Sequence, residues 1–176
     1  AVASKYINED IDVVWATDLD EFFEIELIND VEKLYQNDKN LVSIDLPHKL
    51  FAYNQFNVYN TNLFYIVPRI TKHKKKIYGH CDFDKYGKTV KYTKRYLYHL
   101  CNVGYKRCYF KFMSFYKNKD MTSWLDLYLK ALNSNEKYVT LTHQNKEYDN
   151  LHTIPYNGNY PDYLDIDILC DELNKL

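Results

Sequence analysis

The chain has 176 residues, enough for one domain with a substantial core, and 46% hydrophobic against 27% charged residues is a globular balance. A formal net charge of −1 excludes a global basic field, so contact with nucleic acid or an anionic membrane would need a local patch. No apolar stretch reaches the roughly 18 residues of a membrane span and no signal-peptide pattern is read, so the expectation is a cytoplasmic protein with no membrane span.

In chain order, Val2 to Asn8 reads as the end of a helix. The segment Val13-Val14-Trp15-Ala16-Thr17-Asp18-Leu19-Asp20-Glu21-Phe22-Phe23 is an apolar run that ends abruptly in carboxylates. The pattern predicts a buried strand over Asp12 to Thr17. Strand alternation would turn Asp18 and Asp20 to one side. Asn29 is expected to cap a helix over about Asp30 to Gln36, with Val31, Leu34 and Tyr35 on one face. Leu41 to Leu46 alternates and stops at Pro47, as a strand does. Asn62 to Val67 reads as another strand, closed by Pro68.

Lys72 to Lys76 is a basic loop. Thr89 to Tyr92 and Tyr96 to Leu100 read as short strands. From about Val103 to Tyr116, Tyr109, Phe112, Met113 and Tyr116 recur at helical spacing. Ser123 is placed to cap a helix over Trp124 to Leu132. The tail from Asp165 to Leu176 sets Ile166, Leu169, Leu173 and Leu176 along one helical face. The sum is a mixed α/β fold in a single domain, residues 1–176. Cys81, Cys101, Cys108 and Cys170 form no CxxC pair, so free thiols in a reducing compartment are expected. The 19 tyrosines leave open a Tyr-rich carbohydrate or base-stacking surface.

Two hard oxygen ligands at the end of a buried strand suit Mg²⁺ or Mn²⁺ bound together with a substrate's phosphates. Glu21 either fixes the loop by accepting backbone N–H groups or is simply exposed. Phe22 and Phe23 would anchor the loop in the core. Arg69 beside Lys72 and Lys74 to Lys76 could help hold phosphate oxygens, which Arg matches bidentately. The run Lys74 to Lys76 reads first as a solvated loop, as charge runs usually are, and only second as a phosphate clamp. Asp82 and Asp84, again two apart, fit either a polar turn running to Gly87 or a catalytic carboxylate.

The run Thr17-Asp18-Leu19-Asp20-Glu21-Phe22-Phe23 resembles the D-x-D-E-F element of GT-A fold nucleotide-sugar glycosyltransferases, in particular family-2-like members. Pro68-Arg69-Ile70 is similar to their Arg-containing segment. Tyr98-His99-Leu100, followed by a helix with Lys106, Arg107 and Lys111, looks like their histidine strand and lysine helix. Tyr156-Asn157-Gly158-Asn159-Tyr160-Pro161 looks like their C-terminal G-x-x-P turn. The elements come in the family's order.

The resemblance implies a partial GT-A-like mixed sheet flanked by helices. It makes the chain the C-terminal part of a catalytic domain whose upstream units bind the nucleobase, with another part of the same polypeptide as the expected partner. It implies metal ligation by Asp20, with Asp18 on the ribose or a metal-bound water and His99 as third ligand. Asp18 and Arg69 would hold the nucleotide-sugar donor. An inverting transfer to an acceptor hydroxyl on a glycan or protein also needs a general base, for which Asp82, Asp84 and Asp120 are candidates. A modified DNA base is a further acceptor, disfavoured by the near-neutral charge. The competing readings are a non-catalytic carbohydrate-binding or interaction module, and a phosphohydrolase using Asp18 and Asp20.

Overall fold

A computed structural model gives the chain as a mixed α/β protein, the class the sequence pattern expects. The structure describes residues 13–15, 17–60, 67–72, 77–78, 82–83, 88–115, 122–139 and 152–175. The expected helix end at Val2 to Asn8 lies outside them, as do Asp84, Asp120 and the run Lys74 to Lys76. The strands are β1 (Val13–Trp15), β2 (Glu21–Phe23), β3 (Leu41–Leu46), β4 (His48–Tyr53), β5 (Asn57–Tyr59), β6 (Val67–Lys72), β7 (Ile77–Tyr78), β8 (Asp82–Phe83), β9 (Lys88–Lys91), β10 (Leu97–Val103) and β11 (Thr153–Pro155). The helices are α1 (Glu26–Asn37), α2 (Tyr105–Phe115), α3 (Thr122–Asn133) and α4 (Ile166–Lys175). None among the described residues is long and apolar enough to cross a membrane. The chain gathers into two compact units, one from Ala1–His48 and Phe64–Leu97, the other from Lys49–Leu63 and Tyr98–Leu176.

In the first unit, α1 forms because Leu27, Val31, Leu34 and Tyr35 recur at helical spacing and share one face. That face packs with Leu41, Ile44, Leu46, Ile70 and Tyr92 into one core. The helix begins a turn earlier than Asn29, which lies inside it. Glu24 and Ile25 carbonyls accept the Leu27 and Ile28 N–H groups at 2.9 and 3.0 Å. Ile25 at the N-cap offers no side-chain bond, a loss of about 1 kcal/mol. Burying Leu27 alone contributes roughly 1.5–3 kcal/mol and offsets it.

The sheet of this unit runs β1-β6-β3-β9. β3 is parallel to β9 and antiparallel to β6, and β1 pairs antiparallel with the far edge of β6. Of the strand expected over Asn62 to Val67, residues 62–66 lie outside the described residues; Pro68 does not close a strand as expected, since β6 runs from Val67 through it to Lys72. The reason is local. Pro68 lies opposite Asp45 and Ile70 opposite Ile44, so Arg69 is the extra residue of a bulge. Among the described residues β1 pairs β6 from Ile70 onward, beyond Pro68, so no described β1 residue needs a donor from it. The buried hydroxyls of Ser43 and Thr71 are satisfied: Ser43 shares a bond of 2.7 Å with Thr89, and Thr71 donates to Val42 O at 3.2 Å. Tyr35 also donates to Val42 O, and burial pushes its phenol up to about 12.

In the second unit β11, β5, β4 and β10 lie side by side in that order. β4 turns into β5 through Tyr53 at φ 70°, with the Asn54 N–H donating to Ala52 O at 2.8 Å, a strained γ-turn. The Tyr53 ring is buried edge-on against Tyr128 of α3, at 5.3 Å between centroids. Cys108, Ala131 and Val139 complete that core with Ala52 and Tyr59. Gly104 joins β10 to α2 at φ +90°, and a Cβ there would stand 2.6 Å from Leu173 O of α4. Glycine is therefore needed on both steric counts.

Candidate functional site

The acidic motif sits on a clasped turn. The Glu21 N–H donates to Asp18 O at 3.1 Å, and the Asp18 N–H donates back to Glu21 Oε2 at 2.9 Å. This is the reciprocity of a capping box, applied to a turn. Glu21 is only 6% exposed, so of its two sequence readings the loop-fixing one holds. Leu19 at the tip stands fully in solvent. Trp15 and Phe23, each four residues from Leu19, stack with centroids 4.3 Å apart and an interplanar angle of 21°. Such a stack adds about 0.5–1.5 kcal/mol beyond the area it buries, and here it closes the neck of the loop.

Asp18 and Asp20 are half-buried, and a carboxylate oxygen of one lies within 4.8 Å of one on the other. They meet by a different route from the one expected. β1 is described to Trp15, and Thr17 to Asp20 are loop and turn, so reversal of the chain rather than strand alternation brings the pair together. Two negative charges at that separation repel by roughly 1–3 kcal/mol at effective dielectrics of 80 to 20. Oxygen donors so arranged fit a hard divalent cation, Mg²⁺ or Mn²⁺. Behind them, a carboxylate oxygen of Glu21 lies within 4.8 Å of a ring nitrogen of His48.

The loop is also held where β2 passes into α1. Arg95 Nη1 donates to Glu24, and Arg95 Nε donates to Asp30 Oδ2 at 2.8 Å. The Tyr92 hydroxyl donates to the same Asp30 oxygen at 2.5 Å. The Tyr92 hydroxyl first, and Arg95 second, hold the Asp30 carboxyl below the usual carboxylate range. Burial pushes the Tyr92 phenol up to about 12.

The other residues singled out in the sequence fall as follows. Arg69 lies at the β6 bulge, and its side chain is outside the description. Asp82 opens β8 opposite Tyr78, again with the side chain outside the description. His99 is in the second unit, half-buried on β10. Arg107 on α2 donates to Leu100 O at 2.9 Å and so trims the end of β10. In the same unit the Tyr156 to Pro161 turn folds back on itself. The Tyr156 hydroxyl donates to Asn159 O at 2.7 Å, and a Cβ on Gly158 would meet the Tyr156 ring. Phe51 packs on Tyr156 and Tyr160 of this turn, and Tyr98 packs on Tyr160.

Sequence reasoning missed His48, Arg95 and the Trp15–Phe23 stack. A signal for the stack was present: two aromatics placed symmetrically about the tip of an acidic turn. Comparison with known proteins adds nothing to this geometry, since no family model, no curated protein and no solved structure matches the chain.

Proposed function

We propose that the chain is a metal-dependent glycosyltransferase domain, which moves a sugar from a nucleotide-sugar donor to an acceptor hydroxyl on a glycan or protein. The observation that carries the reading is the paired carboxylates of Asp18 and Asp20 on a turn clasped at its base and at its neck. The ordered resemblance of the acidic motif, Arg69, His99 and the Gly158 turn supports it. In this reading Asp20 holds the cation directly, Asp18 reaches the ribose or a metal-bound water, and His99 supplies the third ligand. When bound, Mn²⁺ or Mg²⁺ neutralises the charge that develops on the leaving diphosphate. Arg69 helps hold the phosphates, and Asp82 or Asp84 takes the acceptor's proton in an inverting transfer. The buried free thiols of Cys108 and Cys170 fit a reducing, cytoplasmic setting.

The experiment is calorimetric titration of the full-length protein with UDP and GDP, with and without Mn²⁺. The expected result is nucleotide binding that appears only with the metal. No metal-dependent nucleotide binding sinks the reading. Glycan binding without nucleotide would favour the non-catalytic module instead.

A further inference from the structure

We infer that Glu21 is the positioning residue of the acidic turn: its buried carboxylate fixes the Asp18 backbone, so that Asp18 and Asp20 are held together before a cation arrives. The inference rests on the metal reading above. Glu21 sits directly after Asp20, yet its side chain points back, and Oε2 takes the Asp18 N–H at 2.9 Å. The residue is 6% exposed. Burying a carboxylate is costly unless it is hydrogen-bonded, and a bond from a charged acceptor is stronger than a neutral one. The return bond from Glu21 N–H to Asp18 O closes the ring at 3.1 Å. Both chain directions of the turn are therefore fixed by one residue.

The consequence is preorganisation. Two like-charged side chains do not stay together on a free loop, because their repulsion opens it. A turn already closed spares the cation the cost of ordering its own ligands. A competing role is visible in the same geometry. A Glu21 oxygen lies within 4.8 Å of a His48 ring nitrogen, a pair that could itself ligate. The two roles separate on one substitution. Glutamine keeps an acceptor oxygen at the same reach but has no charge to give a metal.

The test is Mn²⁺ binding to the full-length protein, read by electron paramagnetic resonance of the free ion, at a temperature where every variant is folded. Glu21→Ala is expected to weaken Mn²⁺ about tenfold, the low end of what losing an outer-shell partner costs. Glu21→Gln should stay within about threefold of the native protein, because the acceptor is retained. Tyr35→Phe, which loses the buried bond to Val42 O in the same unit, should lower the melting temperature and leave Mn²⁺ affinity alone.

Amide exchange at Asp18 and Glu21 should quicken in Glu21→Ala and not in Glu21→Gln. Glu21→Gln failing as badly as Asp20→Ala makes Glu21 a ligand and overturns the positioning role. Glu21→Ala binding Mn²⁺ like the native protein overturns it also, and leaves the metal reading standing. A native protein that takes no Mn²⁺ removes the metal reading itself, and this role with it. If Glu21→Ala does not fold, Glu21→Asp, whose carboxylate is one methylene short of the Asp18 N–H, takes its place with the same outcomes.

Discussion

Two turns of this molecule use polar side chains in opposite ways. At the β4–β5 turn, Asn54 Oδ1 accepts the Phe56 N–H at 2.9 Å and an Asn57 amide N–H at 2.5 Å. Asn57, only 1% exposed, also donates to Lys137 O at 3.1 Å and accepts the Val139 N–H at 2.8 Å. Its amide is consumed in holding the 137–139 segment against the sheet. The acidic turn assigns one side chain, Glu21, to that kind of work and sets two carboxylates of like charge within 4.8 Å. Polar groups that bond backbone are architecture. Like charges kept together are a local cost that the fold tolerates, and tolerated cost is where a ligand is to be sought.

The comparison breaks most sharply at Asp20. Asp20→Ala is expected to abolish metal-dependent nucleotide binding and sugar transfer. It should leave the melting temperature unchanged or raise it by a few °C, since it relieves the like-charge repulsion of roughly 1–3 kcal/mol with Asp18. An Asp20→Ala protein that still transfers sugar ends the assignment. Asn57→Ala should do the reverse. It strands Lys137 O and the Val139 N–H, so urea unfolding should report a loss of roughly 2–4 kcal/mol, with Mn²⁺ affinity of the folded protein unchanged. Were Asn57→Ala to spare stability and weaken Mn²⁺, the two turns would have been sorted the wrong way round. His99→Ala should weaken Mn²⁺ about tenfold or more, the scale at which even indirect partners of a metal count. A lower melting temperature with unchanged Mn²⁺ affinity would make His99 a structural histidine.

What the sequence disclosed follows from how each element is specified. Leu41 to Leu46 alternates and meets Pro47, and β3 has those same bounds. α2, α3 and α4 are written in their apolar periodicity, and each lies within a few residues of its expected span. β4 was missed because Lys49 to Tyr53 does not alternate and no glycine marks its end. The chain turns there with Tyr53 at positive φ, a conformation no residue-type signal announces. β5 and β11 are three residues each, too short for any periodicity to register. Asp18 and Asp20 were legible as residue types. The clasp around them was not, because it depends on where Glu21 and Phe23 arrive once the chain has reversed.

The smallest effect belongs to Arg95, and its value is in its pH dependence. Arg95 ties Glu24, which follows β2, to Asp30 on α1, while Lys88 grips Asp38 at the other end of the helix at 2.5 Å. Asp30 and Asp38 are held below the usual carboxylate range: Asp30 by the Tyr92 hydroxyl and then Arg95, Asp38 by Lys88 and then the Asn40 N–H. A carboxylate whose pKa is lower folded than unfolded stabilises the fold above its unfolded value, about 3.9, and loses that contribution as pH falls through the folded value. Arg95→Met should therefore lower the melting temperature slightly near about pH 7, and the gap from the native protein should close below about pH 4. The pair is partly exposed, so about 1 M salt should narrow the gap as well. Lys88→Met should behave alike in both respects. The two variants should part on Mn²⁺, where only Arg95→Met, beside the acidic turn, has a path to the site. A gap that widens in acid would show that Arg95 acts through something other than these carboxylates.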